Sequence, residues 1–143
     1  MMHFRPLDRT GFENRIAWCG PSLMAMITGL PLRVTHEKLS IIGGQKNADH
    51  QGIWDEELLL ALAELGYRFR KLPDWDGTLR AYVKQQPVME RASMIIASVP
   101  GHVLGLHYGM VFDNGNPKGC SIDTYKMRRR PVCHLYQITT QPT

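Results

Sequence analysis

The chain has 143 residues, a length that suits a single domain over 1–143 and leaves little room for two. Hydrophobic residues make up 43% of it, enough for a packed core, which excludes disorder as a reading of the whole chain. The net charge of +4 is mildly basic, and the longest apolar runs, such as Met94 to Val99, are far too short for a membrane span.

The N-terminal Met1-Met2-His3-Phe4-Arg5-Pro6 lacks an apolar stretch followed by a small-residue cleavage site, so a cytoplasmic protein is expected. Residues 1 to 15 read as a polar, irregular arm. In the next segment Leu23, Met26, Ile27 and Leu30 recur at i, i+3, i+4 and i+7, the stripe of an amphipathic helix. Pro21 suits its first turn, Gly29 its C-terminal stop, and Pro31 blocks continuation; the predicted helix covers about Cys19 to Thr28. A second helix is predicted over Thr35 to Ile42, closed by Gly43-Gly44, with a loop from Gln45 to Gly52. A third spans Asp55 to Leu65, with Leu58, Ala61, Leu62 and Leu65 as its stripe and Asp55, Glu56 and Glu57 at its electropositive end. Tyr67 to Leu72 alternates like a strand, and Thr78 caps a short helix to Gln86.

Beyond this point the period becomes two. Ser93 to Val99, Val103 to Leu106, Met110 to Phe112, Cys120 to Ile122 and Cys133 to Ile138 read as strands punctuated by Gly, Asn and Pro. The fold class is therefore α+β, a helical N-terminal half and an antiparallel C-terminal sheet. The basic run Lys126 to Arg130 reads as a solvated loop between two strands; with no aromatic interleaving, a nucleic-acid partner is not expected.

Three cysteines, Cys19, Cys120 and Cys133, are odd in number and widely spaced, unlike a disulfide framework. No Cys-x-x-Cys occurs and the six histidines are scattered, so neither a metal site nor a cofactor is expected. A reactive thiol remains. Cys19 opens a helix, where unsatisfied N–H groups and the macrodipole stabilise a thiolate. Gly20 leaves the thiol approachable, and the Cys19 N–H can serve as an oxyanion donor. The alternative is a small buried hydrophobe, so a base has to be found.

His102 supplies one. It opens a run that turns at His107-Tyr108 and returns through Met110-Val111-Phe112-Asp113. With that tip, Leu106 pairs with Gly109, Leu104 with Val111 and His102 with Asp113, placing ring and carboxylate on one face. Asp113 is thus the first candidate for orienting the ring and Asp123 the competing one; strand-end chemistry is the plain alternative for both. His36 and His107 read as surface or turn residues, and His134 as an exposed strand position.

A cysteine at a helix start, then Gly101-His102-Val103, then Gly109-Met110-Val111-Phe112-Asp113 resembles the papain-like cysteine peptidases. The nearest likeness is to bacteriocin-processing peptidase domains and to small papain-like proteins of bacteriophages and bacteria. Gly52-Ile53-Trp54 to Gly66-Tyr67 and Cys19 to Pro31 are further matching pieces. The resemblance implies a papain-like fold, a nucleophile at Cys19, a base at His102, an orienting Asp113 and a peptide or protein substrate. It also implies an oxyanion-hole glutamine just before the cysteine. None is present, and Asn14, five residues upstream, is the amide available for that role. Gly20, Trp18, Trp54 and Gly101 would border the cleft, with core packing the alternative for the tryptophans. The competing function is a non-catalytic binding module on the same fold.

Overall fold

The computed structural model describes residues 2–12, 18–43 and 55–142. Helices α1 (Cys19–Thr28), α2 (Leu32–Gly43) and α3 (Asp55–Glu64) are followed by strand β1 (Arg68–Lys71) and the short helices α4 (Leu79–Gln85) and α5 (Val88–Arg91). Strands β2 (Ile95–Val99), β3 (His102–His107), β4 (Met110–Asp113), β5 (Asn116–Ser121) and β6 (His134–Thr140) complete the described residues. All pairings are antiparallel, in one six-stranded sheet of order β1-β6-β2-β3-β4-β5. The α+β class with N-terminal helices on a C-terminal antiparallel sheet is observed, with β1 joining the sheet at its edge beside β6.

Both faces of the sheet are covered. On one, Ile96, Val103, Tyr136 and Ile138 meet Leu23, Met24, Ile27, Leu39, Leu58 and Leu62 of the three long helices. On the other, Ile95, Ala97, Leu104, Leu106, Val111 and Leu135 meet Leu79, Tyr82 and Val83 of α4, with Ile122 and Tyr125 from the segment after β5. Strands buried on both sides lose alternation, which is why β2, buried at every position, is apolar at all but Ser98.

Several local features differ from the sequence expectation. The N-terminal arm is anchored. Phe4 is buried, Arg5 N–H bonds to Met26 O at 2.6 Å, and Leu32 N–H bonds to Asp8 O at 2.9 Å. Phe4 fits because residue 105 is glycine: a Cβ there would overlap the Phe4 ring and lie 3.0 Å from Leu23 Cδ1. The second helix begins at Leu32, three residues earlier than expected, with the Val34 and Thr35 N–H groups on Pro31 O. The basic run also has a structural role beyond a solvated loop. The carbonyls of Arg130 and Arg128 accept the Leu79 and Arg80 N–H groups at 2.9 and 2.8 Å, satisfying donors at the start of α4 that have no intrahelical partner.

Among the described residues no helix is long and apolar enough to cross a membrane.

Candidate active site

The helix predicted from Cys19 to Thr28 is observed with those bounds. Its first N–H with an intrahelical acceptor is that of Ser22, which bonds to Trp18 O at 3.1 Å; Pro21 has no N–H to leave unpaired. Gly29 closes it with φ 78° and an N–H bond to Ala25 O. Buried Thr35 donates its hydroxyl to Pro21 O at 2.8 Å, fastening α2 to the first turn of α1. α1 packs on β3 and β4, so Cys19 is held against the start of β3.

His102 is the first residue of β3, directly opposite Val99. Behind it Val103 faces the helices while Leu104 and Leu106 face the other core. Because His102 ends the strand, its ring can reach past the strand terminus to α1 while alternation holds behind it. Cys19 and His102 share a side-chain hydrogen bond. The other side of the ring is fixed by Asp113, with His102 Nε2 2.9 Å from Asp113 Oδ2, which leaves Nδ1 to the sulfur.

The β3–β4 hairpin turns one residue later than expected. His107 pairs with Met110, Leu106 with Val111 and Gly105 with Phe112, so the tip is Tyr108-Gly109, with φ values of 51° and 77°. Positive φ at both central residues matches the right-handed twist of the strands, and glycine takes the second place at little cost. His102 and Asp113 therefore meet diagonally instead of directly opposite, still on one face and within side-chain reach.

Asp113 is buried, and its carboxylate accepts four hydrogen bonds. Oδ2 takes His102 Nε2 and the Tyr125 hydroxyl at 2.6 Å; Oδ1 takes Gly115 N–H at 3.0 Å and Asn116 Nδ2 at 2.9 Å. Burial pushes this carboxyl up, but the bonds from His102, Tyr125 and Asn116 outweigh it and hold the group well below the usual carboxylate range. Burial pushes His102 down; the bonds to Asp113 and Cys19, with the charges of both, raise it to about 9. Burial likewise pushes the Cys19 thiol up. The hydrogen bond and charge of His102, then the N–H groups of Val103 and Gly20, bring it below its ordinary value. These shifts run in the direction of a thiolate–imidazolium pair backed by an ionised carboxylate.

Asp123, the competing third member, lies elsewhere: it pairs with Arg80 at 3.2 Å and Lys84 at 2.8 Å on the surface. Gly20 is buried in the first turn of α1. Trp18 is buried and stacked on His36, ring centroids 4.1 Å apart, with Phe12 edge-on, so its ring packs within the protein and His36 belongs to that stack instead of open surface. Gly101, φ 74°, follows Pro100 in the exposed turn before His102, the residue order of a type II turn. Asn14 and Trp54 lie outside the described residues. His107 ends β3 with Nδ1 3.2 Å from Ser93 O. His134 is only partly exposed, and its Nδ1 is buried without a hydrogen-bond partner.

Sequence reasoning missed Tyr125 and Asn116 as supports of the carboxylate. Asn116 carries a signal, since Asp113-Asn114-Gly115-Asn116 is a turn with Asp at its head. Tyr125 carries none, because its bond to Asp113 is a tertiary contact.

All three cysteines are free, with Cys19 buried, Cys120 intermediate and Cys133 exposed. Among the described residues no cluster of three or more His, Cys, Asp or Glu is arranged to hold a metal ion. Comparison of the chain with protein-family models, curated proteins and solved structures returned no match. The class defined by fold and site is an α+β protein with a Cys-His-Asp cluster at the junction of helix and sheet.

Proposed function

We propose that the protein is a cysteine-dependent hydrolase of amide or peptide bonds, papain-like in organisation, working through a thioester. The observation that carries this reading is the continuous chain from the Cys19 thiol through His102 to the Asp113 carboxylate. A buried aspartate with three other donors has no need of a histidine for folding alone, and a cysteine at a helix N-terminus gains thiolate character from both helix and ring.

Cys19 Sγ attacks the carbonyl carbon, forming a C–S bond and an oxyanion, for which the Cys19 N–H is the candidate first donor and Asn14 the candidate second. The imidazolium gives its proton to the leaving nitrogen as the C–N bond breaks. A water molecule, deprotonated by His102, attacks the thioester; the C–S bond breaks and the acid product leaves. Asp113 holds the ring in the tautomer and orientation that both proton transfers require. Peptides or proteins are the proposed substrates.

Limited exposure of Cys19, at 7%, favours a second reading, a non-catalytic binding module on the same fold whose buried thiol is unreactive. Alkylation by iodoacetamide, followed by mass spectrometry at each cysteine, separates the two. Faster modification of buried Cys19 than of exposed Cys133 cannot arise from accessibility and supports the hydrolase. Slow modification of Cys19, no faster than Cys120, refutes it.

A further inference from the structure

The sheet face that carries Cys19 continues into a polar row. Val103, whose N–H points at the sulfur, pairs with Ser98 on β2, and Ser98 pairs with His134 on β6. Tyr136 follows on the same face two residues along β6. Asp55, first residue of α3, comes down onto this row. Its Oδ2 accepts from Ser98 Oγ at 3.4 Å and from the Tyr136 hydroxyl at 3.2 Å. Among the described residues its Oδ1 is bonded to the adjacent Glu56 N–H alone, on the exposed side. Burial, and then the charge of Asp55, push the Tyr136 phenol up to about 12, so it remains a donor to that carboxylate. His134 adds a buried Nδ1 with no hydrogen-bond partner among the described residues.

Direction along the sheet gives this row a role. His102 and Asp113 flank Cys19 on the β4 side, whereas Ser98, His134 and Asp55 lie on the β2–β6 side. The leaving nitrogen must sit beside His102 to take its proton, so the acyl part of the substrate runs the other way, over the row. Asp55 Oδ1, an acceptor on the exposed side, matches an ammonium group, which has three donors and no acceptor. We propose that Asp55, with Ser98, Tyr136 and His134 around it, forms a specificity subsite for a positively charged amino group on the acyl side of the scissile bond. The inference rests on the hydrolase reading and names its substrate class: acyl groups bearing a lysine-type amine.

The test uses two chloromethyl ketones that differ in that amine, N-acetyl-lysyl and N-acetyl-norleucyl. Each alkylates by displacement of chloride by the Cys19 thiolate, and the rate is read by mass spectrometry. A charge-assisted contact predicts that the lysyl probe reacts faster by about tenfold or more. The Asp55→Asn protein should bring that ratio close to one. A ratio near one in the unaltered protein overturns the subsite without recourse to any variant, leaving Asp55 as a tie between α3 and the sheet; so does a ratio that survives Asp55→Asn. If iodoacetamide also fails to favour Cys19, the hydrolase reading fails and the subsite with it. Preferential iodoacetamide labelling with a probe ratio near one removes the subsite alone.

Discussion

Asp113→Asn keeps the size of the side chain and removes the charge that holds His102. In the native site both carboxylate oxygens face donors, His102 Nε2 and Tyr125 on one side, Gly115 N–H and Asn116 Nδ2 on the other. Either orientation of an asparagine therefore turns its NH₂ toward two donors. If it faces the ring, the imidazole can accept through Nε2 only by carrying its proton on Nδ1 while neutral, the tautomer that cannot deprotonate the thiol. The raised His102 value, about 9 against an ordinary 6.5, corresponds to about 3 kcal/mol of imidazolium stabilisation shared between Asp113 and Cys19. Removing the carboxylate forfeits its share, and burial then pushes the ring down. The assay is Cys19 alkylation by iodoacetamide as a function of pH. A free thiol of pKa about 8.5 loses about 200-fold in rate between pH 9 and pH 6 as its thiolate fraction falls. Native Cys19 should lose much less, and Asp113→Asn should steepen the profile toward that of a free thiol. Turnover, where measured, should fall by about 10⁴. An unchanged pH profile in Asp113→Asn would refute the claim that the carboxylate sustains the ion pair.

Gly105→Ala should destabilise the protein by about 1–3 kcal/mol in urea denaturation, because the new methyl overlaps Phe4 and presses on Leu23; displacement of α1 from β3 should also slow Cys19 alkylation. Tyr125→Phe removes the 2.6 Å bond to the buried carboxylate and should cost about 1.5–3 kcal/mol. Asp113, held below its ordinary value, contributes stability that is present above about pH 4 and lost as pH falls through its folded value; in Tyr125→Phe, acid unfolding should begin at higher pH. His102 contributes stability that is present below 6.5 and lost as pH rises through about 9. Lowered Cys19 has the opposite slope below 9.0, so above pH 6.5 denaturation midpoints should fall with rising pH more steeply in Cys19→Ser than in the native protein.

The helices were legible because their signals are local. Pro21, Gly29 and the Leu23-Met26-Ile27 stripe define α1, and Thr78 caps α4 by accepting from Ala81 N–H at 3.2 Å. The anchored arm was not legible. A lone Phe4 among polar residues has no periodicity, and the space it fills exists only because glycine stands a hundred positions later at Gly105. α5, one turn long after Pro87, is too short to show a stripe. The packing on the far side of the sheet was hidden for the same reason as Tyr125. Its partners, α4 and the turns after β5, meet only through the tertiary fold.

The candidate site was legible despite an error in the hairpin because of how strand pairing counts. Moving a turn by one residue along the chain moves every pairing by two, and side chains alternate with period two. His102 and Asp113 therefore stay on one face whether the tip is His107-Tyr108 or Tyr108-Gly109, and only the choice between direct and diagonal contact changes. The diagonal leaves room on the carboxylate for further donors, and Tyr125 and Asn116 fill it. A change in loop length by one residue would behave differently: it would move the pairing by one and send Asp113 to the opposite face. Inserting one glycine between Tyr108 and Gly109 should thus separate ring and carboxylate and abolish the enhanced alkylation of Cys19. If the chain restored the native register with a bulge in the enlarged turn, the enhanced reactivity would persist, and parity alone would not be what holds the two groups together.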